Sequence, residues 1–379
     1  MKIVGIIVEY NPLHNGHVYH INETLKKSNA DLLIAVMSGN VVQRGEFSSF
    51  DKFSKTKWAL KAGIDLVLEL PGLFVLQNAD LFAQTAVAIL HKAGVHEIYF
   101  GSEKGDIEPL KVAAEIMRTT VYDQAIKKYL DQGFSYPSSA DKAMESLSQG
   151  TAHKNPNDIL GIQYINAAYT LNAPIKMHVI KRTQSGYYES YNETKSIQSA
   201  TAIRARLSES ESVEKTVPLY VLNDLDKYFD HKTIFPYLKF LLSTYKKETL
   251  KNIFSVEEGI ETHILKAFQV KNYEDLIKQL STKRYTHAKI KRLLMHMMLG
   301  VKKSDLASFD IPYLRVLGMN HAGQTHLNQL KHTLDIPLIT KVKRTRHSLL
   351  EAELQISKLY SFFTTEANYL NEFKPVIIL

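Results

Sequence analysis

Two imidazoles and a glycine fall within four residues, His14-Asn15-Gly16-His17, near the start of a 379-residue chain. Imidazole N–H groups can donate to oxygens that gain charge when a phosphorus is attacked, and donors fixed in advance need no reorganisation as that charge develops. A glycine between them lets a nucleotide approach the main chain closely. The apolar run at residues 2–9 reads as a buried strand, and residues 17–28 have helical spacing. The motif thus lies between a strand and the start of a helix, where unpaired backbone N–H groups and the helix dipole favour a polyanion. This order points to ATP and to chemistry at its α-phosphorus. It leaves the acceptor of the adenylyl group open, and without its flanking elements the motif would be only a pair of turn histidines.

The elements that must position this turn alternate along the first two hundred residues. Strand patterns at 2–9, 31–37, 65–70, 97–100 and 175–180 are separated by helical patterns such as 17–28, 54–62 and 80–92. Such alternation predicts an α/β fold, a Rossmann-like sheet of parallel strands wound on both faces. Ligands bind such sheets beyond the carboxyl ends of the strands. The His-x-Gly-His turn, Ser38-Gly39-Asn40, Gly101 and Arg182 all follow strand ends. From residue 217 the strand signals fade, and amphipathic stretches at 233–245, 256–268, 285–299 and 346–360 predict a mostly α-helical region. The expected division is a catalytic domain at 1–210 and a helical domain at 211–379, with the boundary in Ser208-Glu-Ser-Glu-Ser212. The closing Val376-Ile-Ile-Leu379 reads as a terminal strand or a buried tail.

Composition narrows the class. Hydrophobic residues make up 45% and charged residues 23%, an ordinary globular balance. The absence of cysteine excludes disulfides and thiolate metal sites and fits a reducing, cytoplasmic setting. No apolar run is long enough to span a membrane, and the amino terminus lacks the pattern of a signal peptide. A net charge of +8 is compatible with a polyanionic partner. His321, His326, His332 and His347 lack ligand spacing and acidic partners, so no metal site of the protein's own is expected.

In this setting the turn resembles that of the nucleotidyltransferase superfamily, the adenylate-forming and cytidylyl-transferring relatives of class I tRNA synthetases. That superfamily carries a late phosphate site of the form Ile-Ser-Ser-Thr-x-Ile-Arg. Here Ile197-Gln-Ser-Ala-Thr-Ala-Ile-Arg204 stands in the same place and departs at Gln198 and Ala200. The resemblance implies that Ser199, Thr201 and Arg204 hold the distal phosphates, with the arginine neutralising pyrophosphate. Alone, the segment would read as a serine-capped helix with a surface arginine. Lys52-Phe-Ser-Lys-Thr56 looks like the lysine loop of the synthetases but lies only about 35 residues after His17, not after the last strand. Lys52 or Lys55 on a phosphate and a solvated helix start both stay open. Residues 38–45 are similar to the Asn-x-x-Gln turn beside the acid substrate of acyl-adenylate-forming members such as pantothenate synthetase. By that likeness Asn40 and Gln43 lie near a carboxylate; otherwise they belong to a polar turn.

Longer phrases give a narrower resemblance. Val8-Glu-Tyr-Asn-Pro-Leu-His-Asn-Gly-His17, Met37-Ser-Gly-Asn-Val-Val-Gln-Arg-Gly45, Leu66-Val-Leu-Glu-Leu-Pro71, Phe100-Gly-Ser-Glu103, Pro156-Asn-Asp-Ile-Leu-Gly161 and Lys283-Arg-Tyr-Thr286 resemble the bacterial tRNA(Met) cytidine acetate ligase family. The resemblance spans most of the chain. It implies activation of acetate by ATP to acetyl-adenylate, then acetylation of N4 of the wobble cytidine in elongator tRNA(Met). It also implies an ATP site made by Ile7, Val8, Glu9, Tyr10, Asn11, Pro12, Leu13, His14, Asn15, Gly16, His17, Val18, Tyr19 and His20, together with Gly101, Asn157 and Arg182. Leu13 replaces a phenylalanine common in the family. Mg2+ would arrive with the nucleotide, because no carboxylate cage is evident.

The basic runs of the helical half suit such a partner. Lys283, Arg284, Tyr285, Lys289, Lys291 and Arg292 form one run, and Lys343 and Arg344 belong to a second. Lysine and arginine can track a phosphate backbone while tyrosine stacks on an unpaired base; a solvated helix face is the plainer alternative. No protein partner is evident. Two rivals share the core motifs: an adenylyltransferase acting on a cofactor precursor, which leaves the basic half idle, and a non-catalytic RNA-binding protein, which leaves the histidines idle.

Overall fold

The structure, a computed structural model, describes residues 1–148, 155–182, 192, 194–257, 259–306, 311–343, 347–364 and 369–379. Its framework is a sheet of strands β1 (Ile3–Val8), β2 (Leu32–Ser38), β5 (Leu66–Leu70), β6 (Glu97–Ser102), β7 (Lys176–Lys181), β8 (Leu314–Met319), β9 (Leu338–Ile339) and β10 (Ile377–Ile378). The short strands β3 (Val41–Val42) and β4 (Glu46–Phe47) form a separate antiparallel hairpin. The sheet order is β10-β8-β5-β2-β1-β6-β7, with β9 beside β8. Strands β5, β2, β1, β6 and β7 run parallel. The chain builds outward from β1 through β2 to β5, then returns to the other side of β1 with β6 and β7. The order therefore reverses between β1 and β6, and their carboxyl ends diverge there to leave a crevice.

The strands are continuous apolar runs because both faces are covered. One face packs under the helices Ala79–Lys92 and Pro156–Thr170, and its core continues into the helical half through Leu238, Ile264, Leu294 and Ile356. The other face packs under the helices Asn15–Ser28 and Lys52–Lys61, with Tyr10, Leu13, Trp58, Val213 and Val221 in its core.

The chain turns mostly helical after residue 210, as expected, yet the sheet does not end there. β8 pairs antiparallel with β5, and β10 pairs parallel with β8, so the closing residues include a terminal strand. β8 escapes a pattern-based reading because it carries Arg315, buried by pairing with Glu69 and Glu372. No helix among the described residues is long and apolar enough to cross a membrane.

Candidate active site

A cavity of about 530 Å³ occupies the crevice between the carboxyl ends of β1 and β6. The His-x-Gly-His turn forms one wall. His14 is the N-cap of helix Asn15–Ser28: its Nδ1 accepts from the Gly16 N–H at 3.1 Å, and the His17 Nδ1 accepts from the His14 N–H at 3.3 Å. This reciprocal cap has an electronic consequence. A neutral imidazole whose Nδ1 accepts must carry its proton on Nε2, so each ring has its Nε2–H left to donate. The rings stack at 3.7 Å between centroids, and both line the cavity. Burial, reinforced by Arg182 and Arg204, lowers His14 to about 3. Burial, then His14, His20 and Arg182, hold His17 well below its ordinary value. Gly16 is required by closeness: a Cβ there would lie 2.9 Å from His14 Cε1 and 3.1 Å from the Ile197 side chain.

Arg204 ties the late segment to this turn by donating from Nη1 to the Asn11 carbonyl at 2.7 Å. Asn15 holds the approach to that segment, donating from its amide to the Ser196 and Lys215 carbonyls at 3.0 and 2.9 Å. Ser199 caps the helix Ala200–Ser208, with Oγ accepting from the Ala202 N–H. Thr201 Oγ1 accepts from Arg44 at 3.1 Å and from Arg204 at 3.4 Å. Ser199, Thr201 and Arg204 all line the cavity beside His14 and His17. The departure at Gln198 has a structural basis. Its buried amide donates to the Asn192 and Lys195 carbonyls and fixes the turn before the helix.

The third group gathers around Glu103. Asn157 donates to Glu103 Oε1 at 2.7 Å, and Arg182 pairs with the same oxygen at 3.0 Å. Gly101, Asn157 and Arg182 face the cavity together, as do Ile7, Val8, Glu9, Tyr10, Asn11, Tyr19 and His20 from the first segment. Pro12, Leu13, Asn15 and Val18 do not line it. Leu13 is fully buried, Val18 packs against the core, and Asn15 acts through its loop contacts. Burial lowers His20 to about 4.

Several expected residues lie elsewhere. Gln43 lines the cavity, but Asn40 does not. The buried Asn40 amide donates to Ser357 at 3.0 Å, and its oxygen accepts from the Lys52 N–H at 2.9 Å, so its hydrogen-bonding capacity joins the two halves of the chain. Lys52 and Lys55 do not reach the cavity either, because both are completely buried. Lys52 pairs with Glu69 and Glu372 at 2.6 and 2.7 Å. Lys55 donates to the carbonyls of Glu9, Ser38 and Gly39 within 3.0 Å, bracing the ends of β1 and β2.

The first basic run divides. Lys283 and Arg284 are exposed, and Lys289 is half-buried, pairing with Glu257 as Arg284 does. Tyr285 is buried under Lys289, which removes it as a platform for a base. Lys291 pairs with buried Glu46, and Arg292 donates to the Gln43 carbonyl at 3.4 Å. These two brace the β3–β4 hairpin from behind rather than facing solvent. Gly45 permits the contact: its φ is +85°, and a Cβ there would sit 2.3 Å from the Arg292 nitrogen. Lys343 is exposed, whereas Arg344 lies outside the described residues.

The cavity also uses residues that the sequence reading missed. Arg44 sits inside a segment already singled out and could have been found there. Phe82, Leu160 and Tyr164 give no local signal, because they look like ordinary core positions of their helices. Among the described residues no group of three or more histidines and carboxylates is placed to hold a metal.

Residues 1–373 match the HIGH Nucleotidyl Transferase family model. A tRNA(Met) cytidine acetate ligase from Oceanobacillus iheyensis is 38% identical, with 95% of this chain and 94% of the relative covered. The chain belongs to the tRNA(Met) cytidine acetate ligase family. The member from Geobacillus sp. (strain WCH70) is 36% identical over 99% of this chain and 98% of its own. Apo Thermotoga maritima TmcAL superposes over the full length of both chains with a TM-score of 0.93 at 28% identity. The same protein bound with alpha-thio ATP superposes with a TM-score of 0.89 at 28% identity. Membership accounts for the long phrases recognised in the sequence: those at the amino-terminal turn, the hairpin and the 100–103 and 156–161 segments each contribute to one cavity wall.

Proposed function

We propose that this chain activates acetate with ATP, releasing pyrophosphate, and transfers the acetyl group to N4 of the wobble cytidine of elongator tRNA(Met), releasing AMP. The observation that carries the first step is the convergence of two neutral imidazoles, each with Nε2–H to donate, on the cavity that also holds Ser199, Thr201 and Arg204. The α-phosphoryl oxygens gain charge as an acetate oxygen attacks, and His14 and His17 donate to them. Arg204 and the helix start at Ser199 take the β,γ-phosphates. Asn157 and Arg182, oriented by Glu103, fix the nucleoside side, and Gln43, whose side chain also donates to the Gln77 carbonyl at 3.4 Å, is assigned to the acid.

Acetate is a poor electrophile, and its adenylate supplies a good leaving group. The cytosine amino group is a weak nucleophile, so holding it against the mixed anhydride contributes much of the rate. The cavity offers a divalent cation only scattered carboxylates, Glu9 and Glu46, the latter already paired with Lys291. Mg2+ carried on the phosphates fits that donor set and would screen the departing pyrophosphate. In this reading residues 1–210 carry the adenylation chemistry, and residues 211–379 present tRNA contacts through Lys283, Arg284, Lys289 and Lys343. Cytoplasmic tRNA is the acceptor.

Acetate-dependent ATP–pyrophosphate exchange and nucleoside mass analysis of tRNA incubated with ATP and acetate test the two steps. His17→Ala is expected to lower exchange at least 100-fold, the scale of one lost oxyanion donor. Undiminished exchange would overturn the role of His17, and absence of N4-acetylcytidine with the unaltered chain would overturn the acceptor.

A further inference from the structure

The cavity is lined from both faces of the sheet, and the phosphate-binding groups His14, His17, Ser199, Thr201 and Arg204 stand on one side of it. Along β1 and its continuation, side chains alternate. Val8 and Tyr10 belong to the core under the His-x-Gly-His helix, whereas Ile7 packs on the face covered by helices Ala79–Lys92 and Pro156–Thr170. Glu9 follows Ile7 on that second face. There the cavity wall is apolar and aromatic, made by Phe82, Phe100, Leu160 and Tyr164. Phe100 and Tyr164 meet edge to face at 5.7 Å, a contact that Gly161 permits because a Cβ there would lie 2.4 Å from the Phe100 ring.

Glu9 is held firmly and only half used. Its Oε1 accepts from the Gln43 N–H at 2.8 Å and from Ser38 Oγ at 3.4 Å. Its Oε2 has no hydrogen-bond partner among the described residues. Lys55 clamps the main chain at the same residue, donating to the Glu9 carbonyl at 3.0 Å. A fixed carboxylate repels a triphosphate and a free acetate ion alike, so it suits a ligand that brings a hydrogen-bond donor. An aromatic-walled side of the cavity with one carboxylate matches cytosine: aromatic walls take an unstacked base, and a carboxylate accepts from its N4 amino group, a donor in the position where uracil has an acceptor.

We propose that this aromatic side of the cavity is the pocket for the acceptor cytosine and that Glu9 is the base of the transfer step. The proposal rests on the acetyl-transfer reading above. N4 forms a bond to the acetyl carbonyl carbon, and the bond from that carbon to the phosphate oxygen breaks, its electron pair leaving on AMP. One N4 proton passes to Glu9 Oε2.

The test measures both half-reactions on the full chain with Glu9→Gln, Glu9→Asp and Phe82→Ala. Single-turnover transfer from acetyl-adenylate to tRNA should fall at least 100-fold in E9Q, the scale of a general base. Acetate-dependent ATP–pyrophosphate exchange, read on the same variant, should fall at least tenfold less than transfer does; because Glu9 also borders the nucleotide cavity some loss of exchange is expected, and the exchange that remains reports a folded cavity. E9D should retain more transfer than E9Q, and F82A should raise the tRNA concentration needed for half-maximal transfer more than it lowers exchange. Proportional loss of both half-reactions in E9Q would assign the carboxylate to the nucleotide step and overturn the proposal, as would undiminished transfer. If the unaltered chain exchanged ATP with acetate but left tRNA unmodified, the acceptor reading would fail first, on a measurement independent of Glu9.

Discussion

Replacing Lys52 by methionine should be among the most destabilising single changes in this chain. The Lys52 ammonium is completely buried between Glu69 and Glu372, at 2.6 and 2.7 Å. Arg315 pairs with the same two carboxylates from β8. A third carboxyl, Glu353, accepts from the Gly72 N–H, and burial together with Glu69 pushes it up, toward its uncharged form. Two cations thus balance two carboxylates. Lys52→Met leaves one cation for two, with little volume change, and the surplus buried charge should cost about 3–5 kcal/mol. The cluster joins helix Lys52–Lys61 and β5 to β8, helix Ser348–Phe363 and the closing segment, so the loss should appear in global unfolding. Urea denaturation at pH 7.5 measures it. Adding Glu372→Gln removes the surplus anion, and the double variant should be more stable than the summed single changes by about 1–3 kcal/mol. A loss below about 1 kcal/mol in Lys52→Met, or simple additivity in the double variant, would refute the account of a balanced cluster. The acid limb gives a second check. Burial opposes ionisation of Glu372, but Lys52 and Arg315 outweigh it and depress the group from 4.5 to about 2. Its contribution is therefore present above pH 4.5 and is lost as pH falls through about 2.

Two further predictions concern the site. His14 is lowered by burial from 6.5 to about 3, so its stabilising contribution is full above pH 6.5 and is lost as pH falls toward 3. Acid unfolding of His14→Gln should accordingly be shallower across that window, by up to about 1.4 kcal/mol per pH unit; an unchanged slope would mean that the ring is protonated in the folded chain. Replacing exposed Lys283 and Arg284 together by alanine should weaken tRNA binding and reduce the salt slope of log K by about 1–2, read by filter binding at several salt concentrations; an unaltered slope would place the tRNA elsewhere.

What the sequence determined by itself was local and periodic. Residues 2–9 form a strand because an uninterrupted apolar run can be buried on both faces, and the His-x-Gly-His turn follows because its cap closes between residues three apart. The alternation of strands and helices was enough to place the candidate nucleotide turn, Gly101 and Arg182 beyond strand ends. The tertiary structure decided whatever depends on partners distant in the chain. Arg204 belongs to the site because Asn11, 193 residues earlier, accepts its hydrogen bond, a pairing that no local pattern encodes. Lys52 and Lys55, read as either phosphate contacts or a solvated helix start, became buried struts, because charge can leave water only where acceptors from other strands meet it. Tyr285 and Asn40 lost their expected roles for the same kind of reason: packing and hydrogen bonds from remote elements had already used them. β8 joined the sheet with a buried arginine that made it look unlike a strand until its two carboxylates were in place. Residue type and spacing announced the chemistry; which groups remained free to perform it was settled by contacts between residues far apart in the chain.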